Sequence, residues 1–204
     1  RGWKLGAVDE PFAAMSQAGY DALYAYRYDW DEQADNYFVP FSKILGASHA
    51  SEIAFVMGAP MYGEIGNFMY PDTDSAREMT RVMMSAWGSF AYTGIPQIDG
   101  GPDWPRYDSS KPAFMRLDVG DALAMSDDVP DRAELLDRVA ETTALTSLEQ
   151  CLLVWELVTA VGVPDYPAYA AWQEGRCAKI DAAGEKRHIR EALEAEYGSV
   201  YFSG

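Results

Sequence analysis

The sequence predicts an α/β fold that continues into a mainly helical tail. Two short segments rich in aromatic or apolar residues, 22–30 and 114–118, have the composition of strands. Between them, residues 74–92 show clear helical periodicity, and strands that alternate with helices are typical of α/β domains. We therefore divide the chain into an α/β part, residues 1–128, and a helical extension packed on it, residues 129–204.

The other elements follow from apolar spacing and from residues that begin or end helices. Residues 10–19 predict a short helix that a glycine ends, and residues 31–45 predict a loop. Asp74 or Ser75 is the expected cap of the long helix, and Gly94 ends it. The tail predicts four successive helices, over residues 131–145, 147–161, 167–178 and 185–197.

Composition excludes several classes of partner. The net charge is −16, from 32 acidic and 16 basic residues, so the surface would repel nucleic acid and anionic lipid. No uncharged apolar stretch approaches the roughly 18–20 residues of a membrane span. No Cys-x-x-Cys pair or His/Cys cluster is present, and we predict neither a metal nor a cofactor. Cys151 and Cys177 would pair in an exported protein, and two separate thiols fit the spacing equally well.

One histidine stands out because of its surroundings. His49 is one of only two histidines, lies among small residues, and precedes an apolar run with Glu52 three positions on. A neutral imidazole near pH 7 can take up and return a proton, as a general base in hydrolysis must. For a histidine considered alone, we favour a structural role instead, in which a backbone carbonyl accepts a hydrogen bond from the ring. His188 lies in a charged predicted helix, and we assign it to the solvated surface.

Five motifs resemble, in the right order, those of the type-B carboxylesterases, the cholinesterase-like branch of the α/β-hydrolases. They cover roughly residues 20–120, which makes a chance similarity improbable. The motifs are LYAYRYD at 23–29, GASHASEI at 46–53, MSAWGSFAYTGIP at 84–96, WPRY at 104–107 and MRLD at 115–118. The resemblance implies that the chain forms the last strands and covering helices of an α/β-hydrolase catalytic domain.

The resemblance assigns His49 as the base of a catalytic triad. The family order is serine, then Glu or Asp, then histidine. A Gly-x-Ser-x-Gly elbow is absent from this sequence, as are the oxyanion-hole glycines. The resemblance therefore implies a serine carboxylic-ester hydrolase whose N-terminal portion supplies the serine, the acid and the oxyanion hole. Its expected substrate is a small, uncharged or weakly charged ester with an apolar acyl or alcohol group. We do not expect this chain to be active alone.

Three further residues take roles from the resemblance. Glu52 matches an acidic residue that supports the active site from behind the histidine, and a cap at the start of the next helical turn is an equal alternative. Phe41 and Leu45 match positions that often line the substrate pocket, although ordinary loop packing explains them as well. Ala50 stands where the family commonly has glycine. Gly46–Ala50 also imitates a nucleophile elbow around Ser48, but residues 40–43 do not form a buried strand.

Two other functions remain open at this stage. A non-catalytic relative that acts as a binding or adhesion module would share these motifs, and an intact upstream serine would distinguish the two. Residues 130–204 would alternatively form an acidic interaction module. Independently of the resemblance, two strands are too few for a self-sufficient sheet, so we expect an upstream segment to complete it.

Overall fold

The computed structural model describes residues 2–35, 40–59, 66–67 and 69–198, and it divides the chain into two compact units. One unit spans Pro11–Val129, and the other combines the described residues of Arg1–Glu10 and Pro130–Gly204. The strands and the completely described α-helices are β1 Tyr26–Tyr28, β2 Phe114–Leu117, β3 Ala124–Ser126, α1 Gly2–Lys4, α2 Glu10–Gln17, α3 Phe41–Ile44, α4 Ile53–Met57, α5 Asp74–Thr93, α6 Arg132–Glu141, α7 Ser147–Thr159, α8 Tyr166–Gly175 and α9 Ala182–Tyr197. A π-helical stretch, Leu5–Asp9, joins α1 to α2.

The three strands form a mixed sheet in the order β1-β2-β3. β1 and β2 are parallel, with Tyr26 opposite Met115 and Tyr28 opposite Leu117. β2 and β3 are antiparallel. Parallel neighbours require a crossover connection, and α5 lies on the connection between β1 and β2. The predicted mixture of strands and helices is confirmed as a small mixed sheet with mostly helical surroundings.

Most predicted elements are present, and three details need correction. The predicted loop 31–45 contains α3, which begins after Pro40, whose carbonyl accepts hydrogen bonds from the N–H groups of Lys43 and Ile44. Residues 36–39 of this loop lie outside the described residues. β3 was not predicted, because three residues are too short to show an alternating pattern.

The third correction concerns the start of α5. The cap is Thr73, whose hydroxyl accepts a hydrogen bond from the N–H of Ala76 at 3.2 Å. Thr73 has an extended backbone, as a cap residue should, while Asp74 is already helical. Ser75 has a different role, because its hydroxyl accepts a hydrogen bond from the indole N–H of Trp30 at 2.8 Å. Gly94 ends the helix in a left-handed conformation, as predicted.

The apolar core of the Pro11–Val129 unit lies between one face of the sheet and α5. Met115 and Leu117 of β2 point to this face, and the buried stripe of α5 packs in the same cluster, together with Trp30 and Phe55. Trp30 is fully buried and meets the Phe55 ring edge-on, with the ring centres 4.8 Å apart. The buried α5 residues are Ala76, Met79, Val82, Met83 and Ala86.

The second unit has its own core, which a disulfide crosses. Cys151 of α7 is bonded to Cys177, and both residues are fully buried. They are surrounded by apolar residues of α6, α7 and α8, among them Val139, Val154 and Trp172. Of the two alternatives for these cysteines, a disulfide or two separate thiols, the structure therefore shows the disulfide. Within the described residues, no helix is both long and apolar enough to span a bilayer.

Removing the disulfide should lower the stability of the second unit. The bond closes a loop with a sequence separation of 26 residues, so we expect the double variant Cys151→Ala/Cys177→Ala to lose about 3 kcal/mol of unfolding free energy. Equilibrium urea unfolding, followed by far-UV circular dichroism, measures the change. Reductant at equilibrium should lower the stability of the unmodified chain and leave the double variant unaffected. An equal response of both chains to reductant would contradict this prediction.

Candidate functional site

The turn that carries His49 lies between α3 and α4, on the connection that follows β1. His49 is exposed, and the residues from Ser48 to Glu52 form a turn that leads directly into α4. In open sheets with parallel strands, ligands bind outside the carboxyl ends of the strands. The histidine therefore stands on a surface turn, downstream of the carboxyl end of β1.

Two hydrogen-bonded ties hold this connection to the segment that leaves β1. The buried side chain of Gln33 donates through Nε2 to the carbonyl of Gly46 at 2.6 Å, three residues before His49. Asp35 Oδ1 accepts from both the backbone N–H and the hydroxyl of Ser42, at 3.1 and 2.8 Å. The start of α3 and the start of the histidine turn are thus fixed relative to the strand exit.

The histidine turn is also stabilised from within. Ser51 is buried and donates through its hydroxyl to the carbonyl of Ser48 at 2.6 Å, and its N–H donates to the same oxygen at 3.2 Å. Ala50, between them, has a φ of 67°, in the left-handed region that favours glycine. Residue 50, where the resembling family commonly has glycine, is thus an alanine in a conformation that favours glycine.

Glu52 lies at the end of the turn, where α4 begins. Its side chain is half-buried and makes no capping hydrogen bond to the helix, although the position itself is the cap. Burial raises the pKa of Tyr26, and the negative charge of Glu52 raises it further. Burial likewise raises the pKa of Tyr28. The nearby Ser51 hydroxyl lowers this pKa, and the negative charge of Glu52 raises it. The negative charge of Glu52 therefore acts on the phenols of Tyr26 and Tyr28, both in β1.

The four predicted site residues lie on the stretch of chain from the start of α3 to the residue before α4. Phe41 begins α3, and Leu45 directly follows it, donating its N–H to the carbonyl of Phe41 at 2.8 Å. Both side chains are half-buried. Ser48 follows a helix rather than a strand, so the strand-turn-helix geometry of a nucleophile elbow is absent at this position.

Three aspartates, Asp29, Asp31 and Asp118, follow the carboxyl ends of β1 and β2. The sequence analysis did not identify them as a group. Burial raises the pKa of Asp118, which directly follows β2, and the charges of Asp29 and Asp31 add to this shift. The Val119 N–H, at 2.9 Å from Asp118 Oδ1, and the Arg116 guanidinium act in the opposite direction.

Asp29 differs from Asp118 because it has close cationic partners. Arg27 donates to its two carboxylate oxygens at 2.6 and 2.7 Å, and Arg116 lies 3.4 Å away. The only signal in the sequence was that each aspartate directly follows a strand. Within the described residues, no group of three or more His, Cys, Asp or Glu side chains is placed to hold a metal ion.

Comparison with known proteins supports the resemblance. The sequence model of the carboxylesterase family matches residues 9–131, more than half of the chain. Among curated proteins, the acetylcholinesterase of Bungarus fasciatus is 35% identical over 96 residues, or 46% of this chain. Carboxylesterase 5A of Felis catus is 34% identical over 105 residues, and carboxylesterase 3 of Pongo abelii is 37% identical over 67 residues.

These relatives are much longer than the region that they share with this chain. The matched part covers 15% of the Bungarus fasciatus protein, 19% of the Felis catus protein and 12% of the Pongo abelii protein. The chain thus spans less than a fifth of the length of the curated relatives.

Replacing Ala50 by glycine should stabilise the histidine turn. A left-handed backbone costs a residue with a Cβ about 1–2 kcal/mol, and the lost chain entropy of glycine offsets part of that gain. We expect Ala50→Gly to raise the unfolding free energy by about 0.5–1 kcal/mol, measured by urea unfolding. Ala47→Gly is the matched control, because Ala47 is exposed on the same connection without a positive φ, and we expect it to be neutral or slightly destabilising. A lower unfolding free energy in Ala50→Gly would contradict the inference that the backbone of Ala50 is strained.

Replacing Asp118 by asparagine should stabilise the protein at neutral pH but not in acid. Because the folded protein raises the pKa of Asp118 above the ordinary value of 3.8, its charged form is disfavoured by folding. That cost is absent below the ordinary pKa, grows as the pH rises from the ordinary pKa to the raised pKa, and stays constant above the raised value. Asp118→Asn removes the charge but keeps an oxygen that can accept from Val119. The gain over the unmodified chain should be larger at pH 7 than at pH 4 in urea unfolding, and the reverse order would contradict the shift.

Proposed function

The chain belongs to the carboxylesterase family, and from that premise we propose that it is the histidine-bearing part of a serine carboxylic-ester hydrolase. The proposal assigns His49 as the general base of the catalytic triad. It assigns the serine nucleophile, the triad acid and the oxyanion hole to an N-terminal portion of the same enzyme.

The observation that carries the proposal is the placement of His49 within the matched region. The residue is exposed on a turn after β1, and the Gln33 hydrogen bond to Gly46 holds that turn to the exit of the strand. A catalytic base must reach a reacting group on another segment while its own backbone stays fixed. His188, by contrast, lies on the exposed charged helix α9, outside the matched region.

The proposed reaction uses the imidazole of His49 twice in each half of the cycle. His49 accepts the proton of the serine hydroxyl as its oxygen attacks the ester carbonyl carbon. When the resulting oxyanion collapses, the bond to the alcohol oxygen breaks, and His49 returns the proton to that oxygen. In the second half, His49 accepts a proton from water as the water oxygen attacks the acyl carbon. When the acyl–serine bond breaks, His49 returns that proton to the serine oxygen, which releases the acid and the free serine.

The remaining site residues take supporting roles in this proposal. Glu52, half-buried beside the two β1 phenols, would position the histidine turn from behind. Phe41 and Leu45, both half-buried near the same turn, would line an apolar pocket for the acyl or alcohol group. The substrate class is accordingly a small, uncharged ester, and the chain alone should not turn it over.

The test is the turnover of the assembled enzyme after loss of His49. The active material is purified, its intact masses are recorded, and it is labelled with a fluorophosphonate, which reacts with an activated serine. We expect a labelled N-terminal portion to copurify with this chain, or to precede it in one polypeptide. His49→Ala should then lower kcat/KM for a small ester by at least about a hundredfold, because a positioned base contributes roughly 10²–10⁴-fold.

His188→Ala is the matched control, because it removes the only other histidine from an exposed helix. We expect it to retain full turnover. Unchanged turnover in His49→Ala would contradict the assignment of the base. Purified material without a labelled serine and without turnover would instead favour the non-catalytic binding module.

A further inference from the structure

Gln33 is a buried polar residue on the segment that leaves β1, and its side chain reaches the connection that carries the histidine. Only 5% of the residue is exposed, and its Nε2 donates to the carbonyl oxygen of Gly46 at 2.6 Å. The same oxygen accepts the N–H of Ser48 at 2.9 Å, and Ser48 directly precedes His49. The Gln33 amide and the backbone next to the histidine thus share one acceptor.

The oxygen of the same amide does not contribute to stability. Gln33 Oε1 is buried and accepts no hydrogen bond among the described residues. A buried acceptor without a donor destabilises the folded state, and this offsets the net gain from the one hydrogen bond that the amide donates. If Nε2 were removed, the Gly46 oxygen would still accept from the Ser48 N–H. Gln33 therefore adds little to the free energy of unfolding, although it is buried.

Gln150, the other buried glutamine of the described residues, has the hydrogen bonds of a stabilising amide. Its Nε2 donates to the carbonyls of Val139 and Thr142 at 3.2 and 3.0 Å, and its Oε1 accepts from Arg176 Nη1 at 3.0 Å. Both ends of this amide are therefore satisfied, as buried polar groups usually are. Gln33 differs because it holds one carbonyl group and leaves its own oxygen without a donor among the described residues.

We infer that Gln33 is a positioning residue for the general base, an inference that rests on the proposed function. Its Nε2–H fixes the Gly46 carbonyl, which in turn fixes the Ser48 N–H and the backbone from which the His49 imidazole projects. Gln33 acts through this backbone and not by contact with the reacting atoms. The position matters because a general base must lie within hydrogen-bond reach of the proton that it accepts. A displacement of about 1 Å can lower a rate about a hundredfold.

The first test is Gln33→Met in the active material, assayed with a small ester. Methionine fills nearly the same space as glutamine but cannot donate to the Gly46 oxygen. We expect kcat to fall about tenfold and KM to stay within about twofold, because the base acts in the transition state and not in substrate binding. The urea midpoint should stay unchanged. Hydrogen–deuterium exchange, followed by mass spectrometry, should become faster in peptides that contain Ser48.

The second test is Gln33→Glu, which adds a readout that a purely structural role would not produce. A protonated carboxyl has the shape of the amide and can donate to the Gly46 oxygen, whereas a carboxylate has no donor and repels that oxygen. Burial raises the pKa of such a carboxyl, so the donor returns as the pH falls. The ratio of kcat in Gln33→Glu to kcat in the unmodified enzyme at the same pH should therefore rise towards acid. Taking the ratio removes the titration of His49 that both enzymes share, and the Gln33→Met ratio should not change with pH.

Gln150→Met is the matched control, because it makes the same substitution at the other buried glutamine, outside the region that matches the family. It removes the donor of two backbone carbonyls and the acceptor of Arg176 Nη1. We therefore expect a lower urea midpoint with unchanged kcat and KM. The two glutamines should thus respond in opposite ways, one in turnover and the other in stability.

His49→Ala, measured beside these variants, separates failure of this inference from failure of the proposed function. Full turnover in His49→Ala overturns the proposed function, and this inference with it, because Gln33 then has no base to position. Loss of turnover in His49→Ala together with an unchanged kcat in Gln33→Met overturns this inference alone. The same holds if Gln33→Met loses stability in proportion to kcat, or if the Gln33→Glu ratio does not change with pH, since Gln33 then has a structural role.

Discussion

The burial of Trp30 is the interaction on which the arrangement of the candidate site depends. This residue follows β1, is fully buried, packs against Phe55 of α4, and donates its indole N–H to Ser75 in the first turn of α5. One side chain thus joins the strand exit to the two helices that follow the histidine turn. Because its polar atom is hydrogen-bonded, the full apolar surface of the indole is buried without an unsatisfied donor.

Parallel pairing of β1 with β2 explains why so much of the chain lies between them. Such a pair cannot be joined by a tight turn, so the chain must travel across the sheet before it returns. Here that crossover carries α3, the histidine turn, α4 and α5, in this order. α5 and Phe55 of α4 contribute to the apolar layer, and the histidine turn between α3 and α4 is left with His49 exposed. Loops held by a rigid scaffold are where catalytic residues commonly lie.

The sequence predicted those parts of the fold that have a long or repeated pattern. α5 was predicted to within one residue at each end, because its buried apolar stripe runs from Ala76 to Ala86, about three helical turns. The strand 22–30 was predicted too long, because only Tyr26–Tyr28 are paired as a strand with β2, although Ala25 and Asp29 also hydrogen-bond to it. The hydrogen bond from Gln33 to Gly46 and the raised pKa of Asp118 could not be predicted from local sequence, since both depend on contacts between segments that are separated along the chain. For Asp118 the sequence showed only that it directly follows a strand. For residue 50 there was a signal, although not a local one. The left-handed conformation of Ala50 occurs at a position where the resembling family commonly has glycine.

The buried disulfide has a consequence for how the protein is made. Both sulfurs of Cys151 and Cys177 are inaccessible in the folded protein, and disulfide formation requires that a thiolate meet an oxidant or another disulfide. The oxidant must therefore arrive while the helices around Val154 and Trp172 are still open. A cell that produces this chain has to supply oxidising equivalents during biosynthesis, because a chain that packs in the reduced form hides both thiols from later repair.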